Sequence, residues 1–180
     1  MAARTWILSG ALAFGVATSA LAQSGPTAAP TAEHKALQYF VGEWTTDGEF
    51  KQTAFGAGGR GGSTDSCTWF DGNLHVICRG EGRLPGGTKA HLGILSYDPA
   101  RRAYTYYGID GTGLTDLAVG KRTEKTWEFT TSPVDVNGKS YESRYTIVET
   151  SPTSYSFKWE TAEKGTQKWT IVKDGKATKK

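Results

Sequence analysis

The sequence has 180 residues, of which 37% are hydrophobic and 22% are charged, and it contains 23 Gly and 6 Pro. This composition indicates one globular domain and excludes a disordered chain. Two cysteines and three histidines are too few for a multi-disulfide scaffold and argue against a metal cluster. The aromatic residues are numerous, with 6 Trp, 8 Tyr and 7 Phe, which favours a β-rich fold with an aromatic interior.

The N-terminal segment has the features of a secretory signal peptide. A basic residue precedes an apolar run over residues 6–21, and residues 20–22 form the A-x-A pattern of a cleavage site. We therefore predict a signal peptide over residues 1–22, a flexible mature N-terminus over residues 23–32, and export to the periplasm or the medium of a bacterial cell. An uncleaved membrane anchor is the alternative. The residue directly after the cleavage site is Gln23 and not a cysteine, so we expect no lipid anchor and no membrane attachment after cleavage.

The net charge of +3 comes from the C-terminal end of the chain. Four lysines and one aspartate occupy residues 173–180, and we predict a solvated basic tail over residues 175–180. The rest of the chain is nearly neutral and offers no basic stripe for a phosphate backbone. We therefore expect no nucleic-acid partner.

A short helix and about ten strands are predicted for the domain, which spans residues 33–174. Thr31 is a suitable N-cap, Leu37 and Phe40 share one face of the helix, and Gly42 ends it. After the helix, β-type runs alternate with turn residues. The predicted strands cover residues 43–51, 63–71, 74–82, 88–97, 102–109, 114–121, 125–131, 139–149, 153–161 and 166–173. The connections are too short for the helical crossovers of parallel strands, so the predicted fold is an all-β, antiparallel up-and-down meander.

These strands are predicted to form a barrel. Tyr155, Phe157 and Trp159 alternate with polar residues along one strand, and the same pattern recurs in others, so each strand has one dry face. A single sheet of this size with one dry face closes on itself, which also removes its edges. A two-sheet sandwich is the alternative, but it requires longer Greek-key connections.

The same alternation selects candidate ligand-binding residues. We predict that a small hydrophobic or aromatic molecule binds inside the barrel and that aromatic side chains line or floor its site. The predicted residues are Trp44, Trp127, Tyr145, Phe157, Trp159 and Trp169. The alternative is a structural or interaction module whose barrel is packed solid by these side chains.

The two cysteines are predicted to form a disulfide. A hairpin that turns at Gly72-Asn73 places Cys67 directly opposite Cys78. In an oxidising compartment the expected result is a disulfide that links the two strands of this hairpin. A redox-active pair is the alternative, although the pair lacks the C-x-x-C spacing that lowers a thiol pKa.

The sequence contains no catalytic motif with the expected context. The glycine-rich segment 56–62 includes a formal G-x-G-x-x-G match but opens no helix, and we interpret it as a mobile loop over one end of the barrel. His34, His75 and His91 are too scattered to argue for zinc. Acidic residues lie mostly in turns or on polar faces, so we predict no catalytic residue, no metal and no cofactor. Arg144 is expected to place its guanidinium over an aromatic ring.

Gly42-Glu43-Trp44, directly after the short helix, resembles the G-x-W entry of lipocalins and their calycin relatives. In those proteins the Trp packs at the closed end of the barrel and the helix covers it. The chain as a whole resembles an uncharacterised bacterial family of calycin-type barrels known as a domain of unknown function. The segments that carry this resemblance are CTWFDGNLHVICR (67–79), GILSYD (93–98), YTYYG (104–108), RYTI (144–147), SPTSYSFKWE (151–160), and Lys168-Trp169 through GKATK (175–179). The resemblance implies a lipocalin-like barrel over most of the chain, without an established activity.

A more distant likeness is to the nitrobindin-type haem barrels, which share the short G-x-W entry and about ten strands. It implies an alternative function, a haem barrel with redox or isomerase chemistry. Those proteins hold haem iron through a late His, whereas this sequence has no His after His91. The candidate axial ligands are therefore His75, His91 or a Tyr.

Overall fold

The computed structural model describes residues 29–111, 113 and 115–180. The predicted signal peptide and most of the predicted flexible N-terminus lie outside the described residues. Within this part of the chain, no helix has the length and hydropathy needed to cross a membrane.

The predicted N-terminal helix is confirmed. Helix α1 (Ala32–Ala36) continues directly into a 3-10 turn (Leu37–Phe40). Thr31 caps the helix, because its hydroxyl accepts a hydrogen bond from the backbone N–H of His34. The two elements together form one short plug of nine residues.

Eleven strands follow the helix in the part of the chain that the structure describes. They are β1 (Gly42–Phe50), β2 (Gly59–Trp69), β3 (His75–Leu84), β4 (Gly87–Asp98), β5 (Ala103–Asp110), β6 (Thr115–Thr123), β7 (Thr126–Thr131), β8 (Val134–Val136), β9 (Lys139–Ser151), β10 (Ser154–Glu163) and β11 (Thr170–Lys179). The short strand β8 was not predicted from the sequence. It is a three-residue arm that pairs with the start of β9.

The other ten strands close into a barrel. They pair antiparallel in the order β1 to β7, β9, β10 and β11, and β11 returns to β1 in a register that places Lys179 opposite Trp44. Because the pairings form a complete ring, the sandwich alternative is excluded. The predicted all-β up-and-down barrel with a short N-terminal helix is therefore confirmed.

Aromatic side chains fill one end of this barrel, which we call the closed end. The rings of Phe40 and Tyr104 pack on Trp127, with centroids 4.9 Å and 4.8 Å from the indole. Trp44 is 3% exposed, and its indole N–H donates to the Phe40 carbonyl at 2.7 Å. Leu37 is fully buried beside them. The 3-10 turn thus plugs the end of the barrel at which β1 begins.

The disulfide predicted for the β2–β3 hairpin is confirmed. Cys67 lies opposite Cys78 in the strand register, and the two residues form a disulfide. Trp69 lies opposite Val76 in the same register. The turn position and the separation of the cysteines were enough to fix this part of the sheet.

The glycine-rich segment predicted as a loop is partly strand. β2 begins at Gly59 and pairs with β1 from its first residue. A Cβ at Gly61 would lie 2.6 Å from the Phe50 ring and 2.5 Å from the Arg83 carbonyl oxygen, so the strands pack here only around a glycine. The connection that remains between β1 and β2 is residues 51–58.

The segment predicted as a basic tail is the second half of β11. Residues 175–179 pair with β1, and residues 175–178 also pair with β10, so the barrel extends beyond the predicted boundary at residue 174. Ala177 is 1% exposed in the core, whereas Lys176 is exposed. Lys176 and Thr178 thus lie on the outer face, whereas Lys179 belongs to the inward set and places its ammonium group over the Trp44 ring at 4.8 Å.

Candidate functional site

The barrel contains a cavity of about 370 Å³. Its lining is mostly apolar and includes the disulfide between Cys67 and Cys78. The aromatic residues that line it are Phe40, Trp44, Tyr106, Phe129, Tyr145, Tyr155, Phe157 and Trp159. Ligand sites in proteins commonly have volumes of about 300–1,000 Å³ and apolar walls with a few polar groups. The barrel is therefore hollow above the closed end, with a space that a small ligand fits.

Four of the residues predicted to bind a ligand line this cavity: Trp44, Tyr145, Phe157 and Trp159. Trp159 on β10 lies opposite Tyr145 on β9. Their rings are stacked, with an interplanar angle of 13° and centroids 5.6 Å apart. The two side chains form one flat aromatic wall.

Trp127 lies below the cavity rather than in its wall. It is 0% exposed within the core of the closed end. Its indole N–H donates to Glu149 Oε1 at 2.7 Å. The alternation of β7 correctly predicted that this side chain is buried, but not that it belongs to the core.

Trp169 lies outside the barrel, contrary to the prediction. Trp159 pairs with Lys173 but the next residue, Glu160, pairs with Ile171, so β11 has an extra residue at this point. A bulge of this kind reverses the faces of the residues beyond it. The Trp169 ring therefore packs under the Arg144 guanidinium at 4.3 Å. This contact confirms the stacking expected for Arg144.

A chain of polar contacts crosses one wall of the cavity. Thr46 and Ser63 share a hydroxyl hydrogen bond of 2.9 Å, and Ser63 donates to Asp65 Oδ2 at 2.5 Å. Asp65 Oδ1 in turn contacts His91 Nε2. An ionised carboxylate only accepts hydrogen bonds, so His91 must donate to an ionised Asp65 from Nε2. In a neutral imidazole with its proton on Nε2, the Nδ1 atom carries the lone pair.

Gly80 makes the contact between Asp65 and His91 possible. Asp65 on β2 lies opposite Gly80 on β3, and Gly80 lies opposite His91 on β4. The two side chains meet across the intervening strand, over a residue that has no side chain. A Cβ at position 80 would lie 2.8 Å from Asp65 Oδ1 and 2.1 Å from the Thr64 carbonyl oxygen.

Gly80→Ala is therefore expected to lower the free energy of unfolding by about 1–3 kcal/mol, the usual cost of overpacking. It should also separate Asp65 from His91, which NMR of the His91 imidazole will detect as a changed Nε2 signal. Gly82→Ala is the matched control, since its Cβ would meet no atom closer than His91 Nδ1 at 3.7 Å. Equal melting temperatures and His91 signals in the two variants would contradict this account.

Two partly buried tyrosine phenols and a carboxyl group form a second polar cluster in the cavity. Tyr145 donates to Asp116 Oδ2 at 3.3 Å. Burial raises the pKa of Asp116, and it raises the pKa of Tyr145 well above the ordinary value, to which the Asp116 charge adds. Burial and the Asp116 and Asp65 charges raise the pKa of Tyr106 to about 12. These phenols stay protonated near neutral pH and act as donors.

Lys173 supplies a cation to the cavity wall. Its Nζ lies 4.8 Å from the centre of the Phe50 ring and 5.1 Å from that of Phe157. Burial lowers the pKa of its ammonium group, and the charge of Asp65 partly opposes this effect. By composition alone, Lys173 lies at the edge of a basic end of the chain, and its alternation with Gly175 and Ala177 is the signal that it faces inward.

The connection between β1 and β2 contacts the cavity wall at the end away from the closed end. Phe55 packs on Trp159 and on Tyr141, with ring centroids 5.4 Å and 5.3 Å apart. Residues 51–58 therefore cover the aromatic wall with one apolar side chain.

The described residues do not fit the haem that the nitrobindin likeness implied. His75 is absent from the cavity lining and is bonded to Ser96 Oγ at 2.7 Å. His91 lines the cavity, but its Nε2 is bonded to Asp65. The phenol of Tyr106 resists ionisation, since its pKa is raised, which opposes its use as an axial ligand. No group of three or more His, Cys, Asp or Glu among the described residues is arranged to hold a metal ion.

The fold and the site together define a closed antiparallel β-barrel with a largely aromatic internal cavity. A family model described as "Protein of unknown function (DUF1579)" matches residues 29–174, and the chain belongs to this family. Among solved structures, the crystal structure of Rv2717c from M. tuberculosis is similar, with a TM-score of 0.57 and 15% identity over 83% of this chain and 98% of that chain. At this identity the similarity shows the fold alone. The search of curated proteins found no match.

Proposed function

We propose that the protein is an exported binding protein that holds one small, mostly apolar or aromatic molecule inside its barrel. The observation that carries this proposal is the cavity of about 370 Å³, lined by the stacked rings of Tyr145 and Trp159 and by Phe157. A cavity of about 150 Å³ is enough to hold benzene. The space in this barrel is therefore large enough for a molecule of two fused rings. A cavity of this size favours a binding protein over the alternative of a structural module with a solid core.

Export and a lipocalin-like class are each supported by a separate feature of the chain. Export is supported by the predicted signal peptide and by the Cys67–Cys78 disulfide, because disulfides persist in oxidising compartments. A lipocalin-like class is supported by Trp44, which follows the helix and packs at the closed end as in the G-x-W entry.

Ligand binding is expected to raise the melting temperature. A ligand at one hundred times its Kd stabilises the folded state by about 2.7 kcal/mol, which corresponds to about 5–10 °C for a chain of this size. Differential scanning fluorimetry with a panel of hydrophobic dyes, flavins and fatty acids measures this shift. No thermal shift with any member of the panel would contradict the proposal.

Tryptophan fluorescence locates the bound molecule in the same titrations. Quenching by a ligand in the cavity is expected to fall in Trp159→Phe, because this indole lines the cavity. Trp169→Phe is the matched control, since that indole lies outside the barrel against Arg144. Equal loss of quenching in both variants would place the ligand elsewhere.

A further inference from the structure

Two hydrogen-bond donors lie side by side on the inner face of the barrel. Lys173 on β11 is directly opposite Trp159 on β10, and both side chains line the cavity. Residues paired in this way have Cβ atoms about 4.5–5.5 Å apart. The two side chains therefore belong to one small region of the wall.

Neither donor has an acceptor among the described residues. Trp159 Nε1 is buried and has no hydrogen-bond partner. The Lys173 ammonium group contacts the faces of Phe50 and Phe157, and none of the described carboxylates forms an ion pair with it. A buried donor without an acceptor, and a partly buried cation without an anion, are both unfavourable.

The carboxylates of the cavity are already engaged. Asp65 accepts a hydrogen bond from Ser63 and contacts His91, and Asp116 accepts one from Tyr145. Neither is in contact with the Lys173 ammonium group. An acceptor for Lys173 and Trp159 is therefore best supplied by the ligand itself.

We infer that the molecule held in this barrel carries a carboxylate, which binds between Lys173 Nζ and Trp159 Nε1 while its apolar part lies against the aromatic wall. This inference rests on the proposed function and specifies the class of ligand, a small aromatic or other apolar carboxylic acid. The carboxylate supplies an acceptor to each donor and neutralises the Lys173 ammonium group, for which the described residues provide no anion. The rings of Phe50 and Phe157 exclude water from this contact and so strengthen it.

The test compares 1-naphthoate with its neutral amide, 1-naphthamide, by isothermal titration calorimetry on the wild-type protein. The two compounds share the same rings, and we expect naphthoate to bind at least tenfold more tightly. Lys173→Met should weaken naphthoate binding at least tenfold and change amide binding by less than about twofold, since truncating one member of a desolvated charged pair has effects of this size or larger. Trp159→Phe should weaken naphthoate more than the amide.

Lys176→Met is the matched control. It makes the same substitution on the same strand, but the side chain is exposed on the outer face, so naphthoate binding should equal that of the wild type. The melting temperature of each variant confirms folding, and the wild-type comparison of the two compounds requires no variant.

The outcomes separate the two proposals. Equal wild-type affinity for naphthoate and naphthamide, or unchanged naphthoate binding in Lys173→Met, would reject the carboxylate site and leave the binding function intact. If neither compound binds while neutral probes do, the carboxylate site is again rejected. If no probe binds at all, the binding function fails with it.

Discussion

Trp127→Ala is expected to lower the free energy of unfolding by about 3–5 kcal/mol, the usual cost of removing a fully buried large aromatic side chain. Trp127 is 0% exposed and is among the largest fully buried side chains of the described residues. Its loss leaves Phe40 and Tyr104 without the ring that both contact, and it leaves Glu149 without the indole donor. The melting temperature should fall by about 6–20 °C, as measured by circular dichroism or calorimetry.

Trp169→Ala is the control for this prediction, because it removes the same side chain from the outer face. Its described contact is the Arg144 guanidinium at 4.3 Å, and an exposed cation–π contact contributes about 0.5–1 kcal/mol. The expected loss is therefore several times smaller. Comparable losses in the two variants would show that Trp127 does not hold the closed end together as described.

Replacement of both Cys67 and Cys78 by alanine is expected to lower the free energy of unfolding by about 3 kcal/mol. The two residues are 11 apart in sequence, and cross-linking a loop of this length removes about this much conformational entropy from the unfolded chain. The melting temperature should fall by about 6–12 °C. Urea denaturation measures the loss directly.

Reduction of the wild-type protein is the matched control for the double variant. It breaks the same bond without changing any side chain, so it should lower the melting temperature by a similar amount. Mass spectrometry of the unreduced, proteolysed protein should show the two cysteine peptides linked. Free thiols at both positions in protein isolated from the periplasm would contradict both the disulfide and this prediction.

Much of the fold was predictable because its pattern is local. Period-two alternation correctly predicted Phe157 and Trp159 on the inner face. The position of one hairpin turn correctly placed Cys67 opposite Cys78. Trp169 was predicted wrongly because one additional residue in β11 reverses the alternation. Such a bulge is visible only in the pairing between strands.

The polar part of the cavity was not predicted, although its residues follow the same alternation. Asp65 lies two residues from Cys67, and Lys173 lies two residues from Gly175, so both were on inward positions. Isolated acids and lysines in a sequence are usually solvated, and that expectation outweighed the pattern. The contact between Asp65 on β2 and His91 on β4 passes over Gly80 on β3. It could not be predicted from the sequence because it depends on the register of three neighbouring strands.

The pairing of β1 with β11 has a consequence for how this chain folds. The barrel closes by joining its first strand to its last, so one edge of β1 stays unpaired until β11 has been made. Contacts this distant in sequence are slow to form, and an open strand edge pairs readily with other chains. Closure of the barrel removes this open edge, and residues 175–179, which look dispensable by composition, form most of the pairs between β11 and β1 that close it.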